Sequence, residues 1–147
     1  MQSKNRNSSP FIKQENQMRY DKAISIAAQP SVSSRQRAHG LIMAAGEGNL
    51  DVVKRILELG VSPNILISGE RKCALHAAVI FRQIECVEML LNYGADVTLC
   101  DKHGKSALDL ATETSVDLKN DDIYQLLKKH FSVSMKRTRD KLLHRTT

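Results

Sequence analysis

The 147-residue sequence has no tryptophan, and only three phenylalanines, three tyrosines and three prolines. With so few large flat side chains, a β-sandwich core is a poor fit, whereas alanine and leucine suit helices packed through small and branched side chains. Cysteine is equally sparse. Cys73, Cys86 and Cys100 are odd in number, and the polar start carries no charged-then-apolar leader, so a reducing, cytoplasmic setting is expected rather than a disulfide framework. Nuclear residence or delivery into a host cell would leave no contrary mark. No apolar run approaches the roughly twenty residues that span a bilayer. A glycine-rich phosphate loop, an H-E-x-x-H pair and a C-x-x-C pair are all missing, so neither catalysis nor a cofactor is expected.

Charge is present but unevenly placed. The net value of +6 divides into +5 over residues 1–38, −5 over 39–127 and +6 over 128–147. An acidic middle between basic ends confines any polyanion reading to the ends.

What the middle contains is repetition. Leu41-Ile42-Met43-Ala44-Ala45, Leu75-His76-Ala77-Ala78-Val79 and Leu108-Asp109-Leu110-Ala111-Thr112 superpose at offsets of 34 and 33. Val53, Ile56, Leu57 and Gly60 fall on Val87, Leu90, Leu91 and Gly94 at the same offset of 34, and Ile123, Leu126 and Leu127 supply a third copy. Each first block predicts a short helix whose Ala44, Ala78 or Ala111 admits a close neighbour. Each second block has the i, i+3, i+4 spacing of a one-faced helix, and Gly60 and Gly94 stand where a helix end needs positive φ.

These residues resemble the ankyrin repeat family. Leu75-His76-Ala77-Ala78 matches its T-P-L-H-x-A signature, Val87 to Val97 its second helix and turn, and Asp101 to Leu108 its finger and next start. The resemblance implies an all-α, helix-pair solenoid of about three repeats, spanning about 39–68, 69–101 and 102–130. It also implies a structural His76 that bonds near its own turn. Cys73 and Ala74 replace the family's Thr and Pro, Ile42 and Asp109 replace its His, and the finger near Ser68-Gly69-Glu70-Arg71 is one residue longer than the next and should bulge.

Outside this 39–130 domain, residues 1–17 read as a disordered tail and 18–38 as a linker with a candidate capping helix. Tyr20, Ala23, Ile24, Ala27 and Ala28 have helical spacing, and Pro30 marks a stop. Residues 131–147 read as a flexible basic tail. Lys136, Arg137, Arg139, Lys141 and Arg145 are compatible with a solvated end, a transport or anionic-surface signal for nucleic acid or lipid, or an added helix using Phe131, Met135, Leu142 and Leu143.

Chemistry-bearing pairs have bland counterparts. Cys73 with His76 and Cys100 with His103 are spaced three apart, but the first pair sits at a helix start and the second in a finger, so no metal is expected. Cys86 reads as a small core side chain, and Asp109 with Glu113 as surface charge. Partner binding is the favoured function, with the chain a monomer by itself. Ile80, Phe81 and Arg82 follow the alanine pair of the central copy, where two large apolar residues act either as an interface anchor or as packing under the first finger or N-terminal helix. By resemblance, fingertip Glu70, Arg71, Lys72, Lys102, His103 and Lys105 line one edge with Glu47 and Thr114.

Overall fold

The computed structural model describes residues 10–145, and among these it has seven helices, one lone helix followed by three stacked pairs. After α1 (Pro10–Ala28) come α2 (Ser34–Glu47) with α3 (Leu50–Glu58), α4 (Ala74–Ile80) with α5 (Ile84–Asn92), and α6 (Ala107–Thr114) with α7 (Asp122–Arg145). Their starts are chemically marked. Ser33 accepts from the Gln36 N–H while Gln36 reaches back to the Ser33 N–H, and Ser106 and Asp109 repeat this reciprocal cap on α6. Asn49 caps α3 through the Val52 N–H at 3.1 Å.

The stacking follows from the repeat. One row holds α2, α4 and α6 and a second holds α3, α5 and α7, each helix touching its pair mate and its counterpart in the next pair. Ala44, Ala78 and Ala111 are buried as the spacing predicts, beside Leu41 and Leu75; the second row contributes Val53, Ile56, Val87, Leu90 and Leu127. The links between pairs are hairpin fingers closed by the antiparallel bridges Ile67 with Lys72 and Cys100 with Ser106. The first finger is the irregular one, with positive φ at both Gly69 (92°) and Arg71 (53°). Its extra residue is taken up there. The Lys102 N–H donates to the Glu70 carbonyl at 3.0 Å, joining the two fingers through backbone.

Both chain ends are more helical than their composition suggested. Residues 10–17, expected to be disordered, open α1, because nothing between Phe11 and Gln29 is glycine or proline and Pro10 is tolerated in a first turn. Ala27 of α1 is buried and Ile24 half-buried, where α1 meets α2 and α3 in the place of a preceding repeat. The side chains of Tyr20 and Ala23 lie outside the described ones, as do residues 1–9. Residues 131–145, expected to be a flexible tail, continue α7 unbroken, again without a glycine or proline. Among the described residues no helix is long and apolar enough to cross a membrane.

Candidate functional site

The first-row helices run from the fingers, which enter α4 at Cys73 and α6 at Ser106, to a set of C-terminal turns. Here the central copy differs from its neighbours. Its Phe81, which ends α4, is 63% exposed, whereas the preceding Ile80 is half-buried against the core. The two residues read together in sequence are thus split: Ile80 packs and Phe81 projects. A Cβ built on Gly46 of α2 would stand 3.2 Å from Phe81 Cδ2, so the ring lies close against this helix surface and would have to shift by a few tenths of an ångström for a larger residue. Met43, one turn back on α2, is also exposed. Together they give an apolar strip crossing the first two pairs.

Arg82 follows in a left-handed turn that is tied to the next pair. At the repeat offset it falls on Gly48, and both take positive φ, 61° and 74°. Its guanidinium donates to Asp121 Oδ2 at 2.6 Å and to the Thr114 hydroxyl at 3.5 Å, while Asp121, buried at the start of α7, also accepts the Tyr124 N–H at 2.8 Å. Burial alone would push the Asp121 carboxyl up, but the Tyr124 N–H and Arg82 together hold it below the usual carboxylate range. One turn residue therefore ties the second pair to the third. Thr114 in turn donates to the Leu110 carbonyl at 3.0 Å.

The charged fingertips are largely paired. Glu70 meets both Lys102 and Lys72, and the Lys102 hydrogen bond is the main reason its carboxyl sits below its ordinary value. Lys105 pairs with Glu113 of α6 and is pushed up by it, and Arg19 of α1 approaches Glu47 at 3.9 Å. Exposed Arg71 and the backbone turn at His103 complete the edge. These exposed ion pairs contribute little stability.

His76 is occupied. The Cys73 N–H donates to its Nδ1 at 3.1 Å, which leaves the proton on Nε2 to donate to the Leu99 carbonyl at 2.9 Å. Burial lowers its pKa despite the Leu99 carbonyl and Asp101, so the neutral ring is favoured. Burial raises the thiols of Cys73 and Cys86, the latter to about 11, which keeps them protonated and poorly nucleophilic near neutrality. Asp109 is spent on the α6 cap and Glu113 on Lys105, so the two carboxylates four apart serve separate partners.

Several position-setting residues gave no local signal. Asp121 is one. Asn64 is another, receiving the Asp96 N–H at 2.8 Å and donating to the Gly94 carbonyl at 3.0 Å across one repeat. Gln83 donates to the Gly46 carbonyl at 3.2 Å beneath Phe81. Asp101 accepts the His103 and Lys105 N–H groups at 2.8 and 3.0 Å and shapes the second fingertip. The frame itself could have pointed to them: Asn64 and Thr98, or Asn49 and Gln83, are register mates.

Comparison with known proteins agrees with this architecture. The family model described as ankyrin repeats (3 copies) matches residues 41–138, about two-thirds of the chain. The chain is 39% identical over 89 residues to the nuclear factor NF-kappa-B p105 subunit of Gallus gallus, covering 57% of this chain and 9% of that protein. It is 41% identical over 76 residues to ankyrin repeat and SOCS box protein 11 of Mus musculus (51% and 23%), and 39% identical over 59 residues to alpha-latrotoxin-Lh1a of Latrodectus hasselti (40% and 4%). It thus spans less than a quarter of the length of each of these relatives. With three register-matched helix pairs, a buried alanine in each first helix and a family match over most of its length, the chain belongs to the ankyrin repeat family.

Proposed function

We propose that this chain is a non-catalytic binding module, acting as an adaptor, scaffold or inhibitor that holds a partner protein on its finger-side, concave face. Ankyrin repeats generally mediate protein–protein interaction, and recognition of this kind is surface complementarity with no bond made or broken. The observation that carries the reading is Phe81: a large aromatic side chain, 63% exposed, fixed at a helix end between Gly46 and the Arg82 turn. An exposed aromatic side chain held at a helix end is the kind of residue from which interface hot spots are built. Glu70, Arg71, Lys72, Lys102, His103, Lys105, Glu47 and Thr114 form the polar part of the face, while Ile80 and Arg82 flank the anchor in the chain. The protonated, buried thiols of Cys73 and Cys86 suit a reducing, cytoplasmic setting.

Affinity capture read by mass spectrometry tests this with three proteins: wild type, Phe81→Asp and a control, Tyr93→Asp, at an exposed site ending α5 in the second row. The partner should survive with wild type and Tyr93→Asp. With Phe81→Asp, affinity should fall about thirtyfold or more while the helical circular dichroism is unchanged. Equal capture by all three would remove Phe81 from the interface, and unfolding of Phe81→Asp would make it a structural residue.

A further inference from the structure

The helix α7 is too long for the stack it belongs to. It has 24 residues where α3 and α5, its counterparts, have nine each. The surplus, roughly 20 Å of helix, runs past the end of the third pair. Up to Phe131 the helix is anchored, with Ile123 and Leu127 buried and Tyr124, Leu126 and Phe131 half-buried. From Met135 to Leu143 every residue is exposed.

The exposed half is not evenly polar. Met135, Arg139 and Leu142 follow i, i+4, i+7 and lie along one line of the helix, with Lys136 and Ser132 beside them. Met135 is 47% and Leu142 58% exposed. Lys141 flanks the other side and Arg137 lies near the opposite face, Asp140 is the one acidic residue between 128 and 147, and that stretch carries +6 against −5 for the stack. Cations therefore border Met135 and Leu142 on a stretch of helix that stays exposed, the stack approaching it only at an open cleft between Met135, Arg137 and Thr138 and the turn from Gly94 to Thr98. The Arg145 side chain lies outside the described ones.

We propose that this distal half of α7 is a membrane-surface element that lies on anionic lipid, its Met135 and Leu142 entering the headgroup layer and Lys136, Arg139 and Lys141 meeting the phosphates. Charge complementarity selects an anionic occupant. The apolar line selects lipid over nucleic acid, because a phosphate backbone gives Met135 and Leu142 nothing to bury against, whereas an acyl boundary does. The net negative stack is repelled by the same surface, which leaves the Phe81 face open. The inference stands independently of the function proposed for that face.

Vesicle co-sedimentation of the full chain decides it. Binding is expected to phosphatidylcholine vesicles containing phosphatidylserine, to weaken with added salt, and to be absent on phosphatidylcholine alone. The double variant Lys136→Glu with Arg139→Glu should bind at least thirtyfold less, and Met135→Ser with Leu142→Ser about tenfold less. Circular dichroism of each variant monitors the fold, and Tyr93→Asp, off α7, serves as the unaffected control. Failure of the wild type to bind the anionic vesicles overturns the proposal. So does a Met135→Ser, Leu142→Ser protein that binds as wild type, since attraction would then be charge alone. Tighter binding to a DNA duplex than to the vesicles, lost on charge reversal, would assign the helix to nucleic acid instead.

Discussion

At the scale of single residues, the turn after α4 concentrates the most consequence. Arg82 occupies a left-handed conformation that its register mate Gly48 adopts freely, a cost of about 1 kcal/mol for a residue with a Cβ. That cost is offset by its hydrogen-bonded ion pair with buried Asp121, and bonds to a charged group contribute about 1.5–3 kcal/mol. Two substitutions separate these terms. Arg82→Ala should lose the ion pair and keep the strain, whereas Arg82→Gly loses the ion pair and relieves the strain. Urea denaturation should therefore rank wild type above Arg82→Gly and Arg82→Gly above Arg82→Ala, the last two differing by about 1 kcal/mol. Equal midpoints for the two variants would mean that the turn is not strained. The strain was within reach of the sequence, since the offset of 34 that aligns the helices also lays Arg82 on Gly48. Its compensation was not, because Arg82 and Asp121 are 39 positions apart and no periodicity connects them.

Among elements, the three pairs were legible and the two ends were not, for one physical reason. Inside the stack a residue is buried on both sides, so apolar positions recur at fixed offsets: Leu41 and Leu75, or Ile56 and Leu90, are all essentially inaccessible. At an end, a helix is seated on one side only and its sequence carries a weaker pattern. α1 illustrates this: of its described side chains only Ala27 is buried, although the helix covers the open side of α2 and α3. Helix-forming residues without an interruption, rather than a buried apolar stripe, are what mark α1 and the distal part of α7. It follows that α1 is a lightly held cap. Ala27→Asp, which places a charge in that seam, should lower stability by about 1–2 kcal/mol and strip hydrogen-exchange protection from α1 first, while the amides of α4 and α5 keep theirs. Loss of protection across all seven helices together would show α1 to be integral to the core.

For the whole molecule, the buried polar groups predict how stability responds to pH. His76 links the α4 turn to the second finger in its neutral form, accepting at Nδ1 and donating at Nε2. Its folded pKa lies below 6.5, so on acidification the unfolded chain takes up this proton before the folded one. The stability it contributes is complete above 6.5 and is lost as pH falls from there through the depressed folded value. Asp101 and Asp121 act in the same direction at lower pH: burial opposes their charge, but the N–H groups of Lys105 and His103 for the one, and of Tyr124 for the other, outweigh it. Their share is complete above 3.8 and disappears below it, when the second fingertip and the start of α7 lose their acceptors together. Two descending steps are therefore expected in a plot of urea midpoint against pH, the first beginning near 6.5 and the second near 3.8. His76→Gln should flatten the first and spare the second. Because a stack of three pairs transmits the loss of any one finger to both neighbours, the first step should appear identically by circular dichroism and by hydrogen exchange in α6. A midpoint that rises as pH falls through 6.5, or a first step that persists in His76→Gln, would place the coupling between repeats somewhere other than this histidine.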